Sequence, residues 1–397
     1  MGILTTAGCR IRQAVLRAGR ARRPERQTVE EGTGAVFSAA QLLRQNRLKK
    51  PMIVSAPADA PVRERVVHAL TEGNLPWASW EYAGDGPTEE AAEELRLAWA
   101  KEACDSFLVI GGAGALDLVK IAAALAGERG RALMSLVGVG KLRRRPAPVV
   151  AVPTAAGSGV ESLAWAAFAD RSGQSFVIED RALVPPFLIQ DPELLADVPR
   201  PVLAGEAADG ICLAVEAYLS GFADDGARAT AADALRAYLS GLEPCWNTGG
   251  TPAERSALMT ASRLAGEAAS QAGTGYARML ARGLCRVSDV RFSDACAVLL
   301  PLVMEKYGKD ARPRLDALAG LAGIEGGAPA LIGRLRQLWF RIGLPDRLSP
   351  VEDGLLKEAG ELAAAAADRR CACPVVWTAA ECGALLRSAM RNTTESE

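Results

Sequence analysis

"SFLVIGGAGALDLVKIAAALAG", residues 106–127, decides the architecture. An apolar run breaks at Gly111-Gly112-Ala113-Gly114, and apolar residues then recur at helical spacing up to Gly127. A buried strand, a glycine turn and a helix in that order put the unpaired N–H groups of a helix's first turn, and the positive end of its dipole, at the strand's end. Gly111, Gly112 and Gly114 let a main chain approach a pyrophosphate closely. Alone the pattern is weak, because a glycine turn is often only a tight connection. Asp117 and Lys120 fall early in the helix, where Lys120 either pairs with a neighbour or reaches a phosphate.

Working outward, "PMIVSA" (51–56) and "PVVAVPT" (148–154) are further short apolar runs bounded by Gly or Pro, as buried parallel strands are. "PVRERVVHALTEG" and "TEEAAEELRLAWAKEA" lie between the runs at helical spacing. This alternation predicts a doubly wound parallel α/β sheet. A second small-residue loop, "VPTAAGSGVES" (152–162), brings Thr154, Ser158 and Gly159 to another strand end, and two such loops predict a nucleotide cleft. From "DPELLADVP" (191–199) onward the chain reads as helical and alanine-rich. The expected organisation is an arm over 1–28, an α/β nucleotide-binding domain over 29–190 and an all-α domain over 191–397. The cleft between the two domains is the default site. "KLRRRPAP" (141–148) reads as a solvated loop.

The bulk numbers exclude several function classes. The 46 basic and 47 acidic residues nearly cancel, so no global field favours nucleic acid or an anionic membrane. No apolar run approaches the ~20 residues of a membrane span. Nine scattered cysteines are no disulfide framework and imply reduced thiols in a cytoplasm. The 397 residues contain a single histidine, His68, which rules out chemistry built on several imidazoles. The first 28 residues are arginine-rich, a composition shared with transit peptides, and their apolar spacing also suits an amphipathic helix lying on the protein.

Taken together, these segments resemble the iron-containing (group III) alcohol dehydrogenase family, related to dehydroquinate synthase and glycerol dehydrogenase. The family's "GGGSxxDxxK" is similar to "GGAGALDLVK" (111–120), and its "PTTAGTGSE" to "PTAAGSGVE" (153–161). Its "DPxLxxxxPxxxxxxxGxDAxxHAxExYxS" is similar to "DPELLADVPRPVLAGEAADGICLAVEAYLS" (191–220). "CAVLLPLVM" (296–304), "GLPDRL" (343–348) and the leader also match, so the resemblance spans the chain. It implies a Rossmann-like domain binding NAD or NADP through Gly111, Gly112, Gly114, Asp117, Lys120, Thr154 and Ser158. It also implies a helical domain that, in the family, holds one divalent metal with an aspartate and three histidines.

Carried over by position, the aspartate is Asp209, and the histidines fall on Leu213, Arg278 and Phe292. A further family histidine near the nicotinamide falls on Arg282. Leucine and phenylalanine have no donor atom and arginine keeps its proton, so the metal is expected to be absent. Rebuilding the site from Asp294, Asp289 or the cysteines at 212, 285 and 296 is the alternative. Asp209, stripped of a dication, would be a costly buried charge, and Arg278 could neutralise it. Arg278, Arg282 and Asp209 are thus the candidate catalytic residues, with the arginines suited to a carboxylate or a developing alkoxide. Other departures touch the cofactor half: Ala56 replaces a ribose-contacting aspartate, Gly86 an asparagine, Gly114 a serine and Val160 a serine.

Two functions follow. One is an NAD(P)-dependent oxidoreductase acting without the metal on a carboxylate-bearing small molecule or a peptide C-terminus, by analogy with daptide-type natural-product tailoring. There, oxidising a β-hydroxyl gives a β-keto acid that readily loses carbon dioxide. The other is an inactive paralogue serving as scaffold or partner. A homodimer, or a heteromer with a related subunit, is expected in either case.

Overall fold

The computed structural model describes residues 27–84 and 86–391, so most of the arm expected over 1–28 lies outside the described residues. Along the chain, β1 (Thr28–Glu31), α1 (Ala39–Gln45), β2 (Pro51–Ser55), α2 (Ala60–Glu72), β3 (Ala78–Glu81) and α3 (Glu89–Lys101) come first. They lead into β4 (Ser106–Gly111), α4 (Ala113–Gly127), β5 (Gly138–Val139) and β6 (Val149–Pro153). The α/β half closes with β7 (Trp165–Ala169), β8 (Ser175–Glu179) and β9 (Phe187–Gln190).

Six strands form one sheet in the order β1-β9-β6-β4-β2-β3, with every pair parallel. Every residue of β2, β4 and β6 is buried, as a sheet covered on both faces requires. The side chains alternate between two cores. Met52, Val54, Phe107, Val109 and Ala151 join α4 on one side. Ile53, Leu108, Ile110 and Val150 meet Leu42, Leu43, Val66 and Leu70 of α1 and α2 on the other. A small second sheet, β5-β8-β7, packs beside this one.

The helical half runs through α5 (Arg200–Leu219), α6 (Asp225–Thr248), α7 (Pro252–Ala272), α8 (Tyr276–Val287) and α9 (Phe292–Tyr307). It ends with α10 (Arg312–Leu321), α11 (Gly327–Arg341), α12 (Asp353–Arg370) and α13 (Ala379–Ala389). From Leu203 onward α5 is buried on nearly every side, which makes it the central rod of this half. None of the described helices is long and apolar enough to cross a membrane.

Small residues weld the halves together. A Cβ on Gly157, in the loop after β6, would overlap the backbone of Glu206, and one on Gly210 would overlap Gly157 O. Glycine at both positions therefore lets the loop lie directly on α5. Three side chains of the helical half pin the loop there. Tyr238 Oη donates to Gly157 O at 2.7 Å, and Ser262 Oγ accepts from the amides of Gly157 and Gly159. Ser270 Oγ accepts from Ala164 N and donates to Ser162 O.

Candidate functional site: a glycine turn facing a rebuilt metal pocket

The glycine turn sits at the C-terminal end of β4. Gly111 has φ +150°, in the region that favours glycine, and Gly112 caps α4 without a side-chain hydrogen bond. A Cβ on Gly112 would meet nothing within 4 Å, so the first turn of α4 opens outward. That is the shape an anion site at a helix N-terminus needs, and it fits the pyrophosphate of a dinucleotide. Thr154, at the end of β6, donates to Asp59 Oδ1 at 2.9 Å, and burial pushes that carboxyl above its usual range. Ser158 is tied to the helical half, with its amide donating to Glu206 Oε2 at 3.1 Å.

Of the two roles open to Lys120, the structure shows pairing. Its amine is fully buried, donates to the carbonyls of Val160, Leu163 and Trp165, and lies 3.7 Å from Asp117 Oδ1. Lys120 is thus a strut under the second loop, and burial pulls it down to about 8. Asp117 Oδ2 accepts from Ala167 N at 3.1 Å, whereas Oδ1 is buried without a hydrogen-bond partner among the described residues. Burial raises this carboxyl, and the positive charges of Lys120 and Arg282 oppose that rise.

Helices α5, α8 and α9 carry the positions that the resemblance assigns to the family's metal: Asp209 and Leu213, Arg278, and Phe292. Arg278 Nη1 forms an ion pair with Asp209, and both residues are buried, at 3% and 8% exposure. The Phe292 ring centroid lies 5.1 Å from the guanidinium carbon, close enough for a cation–π contact. Leu213 is wholly buried. Desolvation brings Arg278 down to about 10, with the nearby positive charge of Arg282 adding to it, yet it stays charged at neutral pH. Asp294 is held by Arg291 through two hydrogen bonds of 3.0 and 3.1 Å. A guanidinium on the sole retained ligand and an aromatic ring over it do not fit a dication. No cluster of three or more His, Cys, Asp or Glu suited to a metal occurs among the described residues.

Glu216, a turn beyond Leu213 on α5, holds this arrangement in place. Its carboxylate accepts from the amides of Gly275 (2.7 Å), Ala277 (2.6 Å) and Arg278 (3.3 Å), capping the N-terminus of α8. Burial nevertheless lifts it to about 7. Sequence reasoning did not give Glu216 this task, nor Ser262 and Ser270 theirs. The available signal was polar residues embedded in otherwise apolar helix faces.

Arg282 is different from Arg278. One turn further along α8 and half-buried, it makes no hydrogen bond or ion pair among the described residues. With Trp165, Glu179, Thr274 and Met279 it lines a cavity of about 30 Å³. His68 lies apart on the surface of α2, 3.4 Å from Glu72. Seven of the eight described cysteines, including Cys371 and Cys373, are buried thiols.

Comparisons with known proteins agree with this fold. The sequence pattern of the family described as "Iron-containing alcohol dehydrogenase" matches residues 27–192, and that of "Fe-containing alcohol dehydrogenase family, C-terminal" matches 204–390. The NAD-dependent methanol dehydrogenase of Bacillus methanolicus is 26% identical over 346 residues, covering 84% of this chain and 89% of the relative. The 4-hydroxybutyrate dehydrogenase of Cupriavidus necator is 26% identical over 289 residues, covering 69% and 75%. A crystal structure of 1,3-propanediol oxidoreductase superposes with a TM-score of 0.86 at 24% identity, covering 93% of this chain and all of the other. The chain belongs to the iron-containing alcohol dehydrogenase family.

Proposed function

We propose that this protein is a nicotinamide-dependent oxidoreductase that interconverts a hydroxyl and a carbonyl on a carboxylate-bearing substrate, with guanidinium groups where its family places a metal. The observation behind this reading is the inequality of the two arginines. Arg278 is spent on Asp209, whereas Arg282 makes no ion pair among the described residues and lines a small cavity with Trp165, Glu179 and Met279.

A cavity of about 30 Å³ has room for about two waters, the scale of a carboxylate head and not of a long chain. The rest of the substrate would extend toward the cleft. A bound nicotinamide dinucleotide supplies the hydride acceptor or donor. The protein's own contribution is to fix the substrate's anionic end on Arg282 and to exclude water with Trp165 and Met279. A guanidinium polarises oxygen less than a divalent ion does, so positioning has to supply more of the rate. The family supports the cofactor, since one relative is described as NAD-dependent. Another is described as acting on 4-hydroxybutyrate, a substrate of the proposed charge.

The test has two stages. NADH and NADPH are titrated against the protein by fluorescence, and turnover is then compared between hydroxy acids and neutral alcohols of equal length in the presence of a chelator. This reading expects nucleotide binding, a preference for the hydroxy acid and indifference to the chelator. Failure to bind either nucleotide would favour the scaffold role, and equal use of neutral alcohols would overturn the anion assignment.

A further inference from the structure

Strand β4 has two neighbours in the sheet, β6 and β2, one on each side. The loop after β6 is fastened to the helical half by Tyr238 and Ser262. A dinucleotide on the glycine turn whose nicotinamide half reaches the helical half therefore has its adenosine ribose on the β2 side. In doubly wound sheets that ribose is read by polar side chains just past the neighbouring strand. A carboxylate there accepts the 2′-hydroxyl of NAD, whereas an arginine accommodates the 2′-phosphate of NADP.

The first residue after β2 is Ala56, which can do neither. Asp59, three residues on, is turned toward β6. Its carboxyl accepts from Thr154 Oγ1 at 2.9 Å and gives α2 no side-chain cap. The polar group at this strand end is instead a cation. Arg63, on α2, donates from Nη1 to the Oγ of Ser55, the last residue of β2, at 3.4 Å. It is half-buried and forms no ion pair among the described residues, so most of its guanidinium fork remains for a ligand.

We propose that Arg63 binds the 2′-phosphate of the adenosine ribose and makes NADP(H) the preferred cofactor. This rests on the nucleotide reading above. A guanidinium meets a phosphate through charge-assisted, often paired hydrogen bonds, whereas NAD offers it only a neutral hydroxyl. The exposed Glu81, at the end of β3 in register with Ser55, is the competing determinant, because a carboxylate that accepts the 2′-hydroxyl selects NAD.

The test is the affinity of the full-length protein for NADPH and for NADH by fluorescence titration, with thermal melts to check folding. Wild type should bind NADPH at least about tenfold more tightly than NADH. Arg63→Ala should weaken NADPH by roughly 10- to 100-fold and leave NADH nearly unchanged. Ala56→Asp should shift the preference to NADH by repelling the 2′-phosphate and accepting the 2′-hydroxyl. Wild type that favours NADH or binds both alike, an Arg63→Ala variant that loses both nucleotides equally, or an unchanged preference in Ala56→Asp overturns the proposal while leaving the oxidoreductase reading intact. Binding of neither nucleotide by the wild type overturns both.

Discussion

The glycine turn at the end of β4 and the Asp209–Arg278 pair between α5 and α8 depart from the family pattern in opposite ways. A turn of this shape offers main-chain N–H groups and the positive end of a helix dipole, and glycine in place of serine at 114 leaves those donors unchanged. The pocket's family function depends on side-chain donor atoms, and three substitutions replace that chemistry outright. Asp209 is paired with Arg278, and Phe292 lies against that guanidinium. A site built from backbone keeps its purpose through side-chain change, whereas a site built from side chains is converted.

The largest effect should come from breaking the pair that separates the two regions. Asp209→Ala leaves the Arg278 guanidinium buried without its carboxylate, which costs about 3–5 kcal/mol in chemical denaturation. Asp209→Ala/Arg278→Met should cost much less, because the stranded charge is gone. Equal losses in the single and double variants would mean the two residues do not act as a pair.

A smaller effect tests the free arginine. Arg282→Ala should lower kcat/KM for the hydroxy acid by roughly 10- to 100-fold, about 1.4–2.7 kcal/mol, with stability shifted by less than about 0.5 kcal/mol. The same variant should leave turnover of a neutral alcohol nearly unchanged. Equal losses on both substrates would remove Arg282 from anion recognition.

The subtlest effect concerns the seam between the regions. Glu161 is buried among Lys120, Ser262, Glu206 and Tyr238, and burial lifts it to about 7 from an ordinary value of 4.5. Between those values the native chain holds a proton the unfolded chain has lost, so this group's contribution to stability falls as pH rises from 4.5 to 7. Wild type should therefore gain stability relative to Glu161→Gln as pH drops from about 7 toward 5. A difference that stays constant with pH would show that Glu161 is charged throughout.

Much of the fold was legible. Strands β2, β4 and β6 announced themselves because burial on both faces demands unbroken apolar runs. β1, β3 and the second sheet did not, because "TVEE" and "ASWE" are short, polar and part-exposed, and "WAAFA" is alanine-rich without a β-branched residue. In the site, the family resemblance together with charge suggested Arg278 beside Asp209. Which arginine stayed free was not legible, since positions 278 and 282 lie one helical turn apart and only tertiary placement brings Asp209 to the first.

Metal content tests the central claim most directly: that an arginine–aspartate pair has taken the place of the ion. Protein expressed with added iron or zinc should, by elemental analysis, hold far less than one ion per chain, and Asp209→Ala should not change that value. Near-stoichiometric iron or zinc, lost in Asp209→Ala, would contradict it.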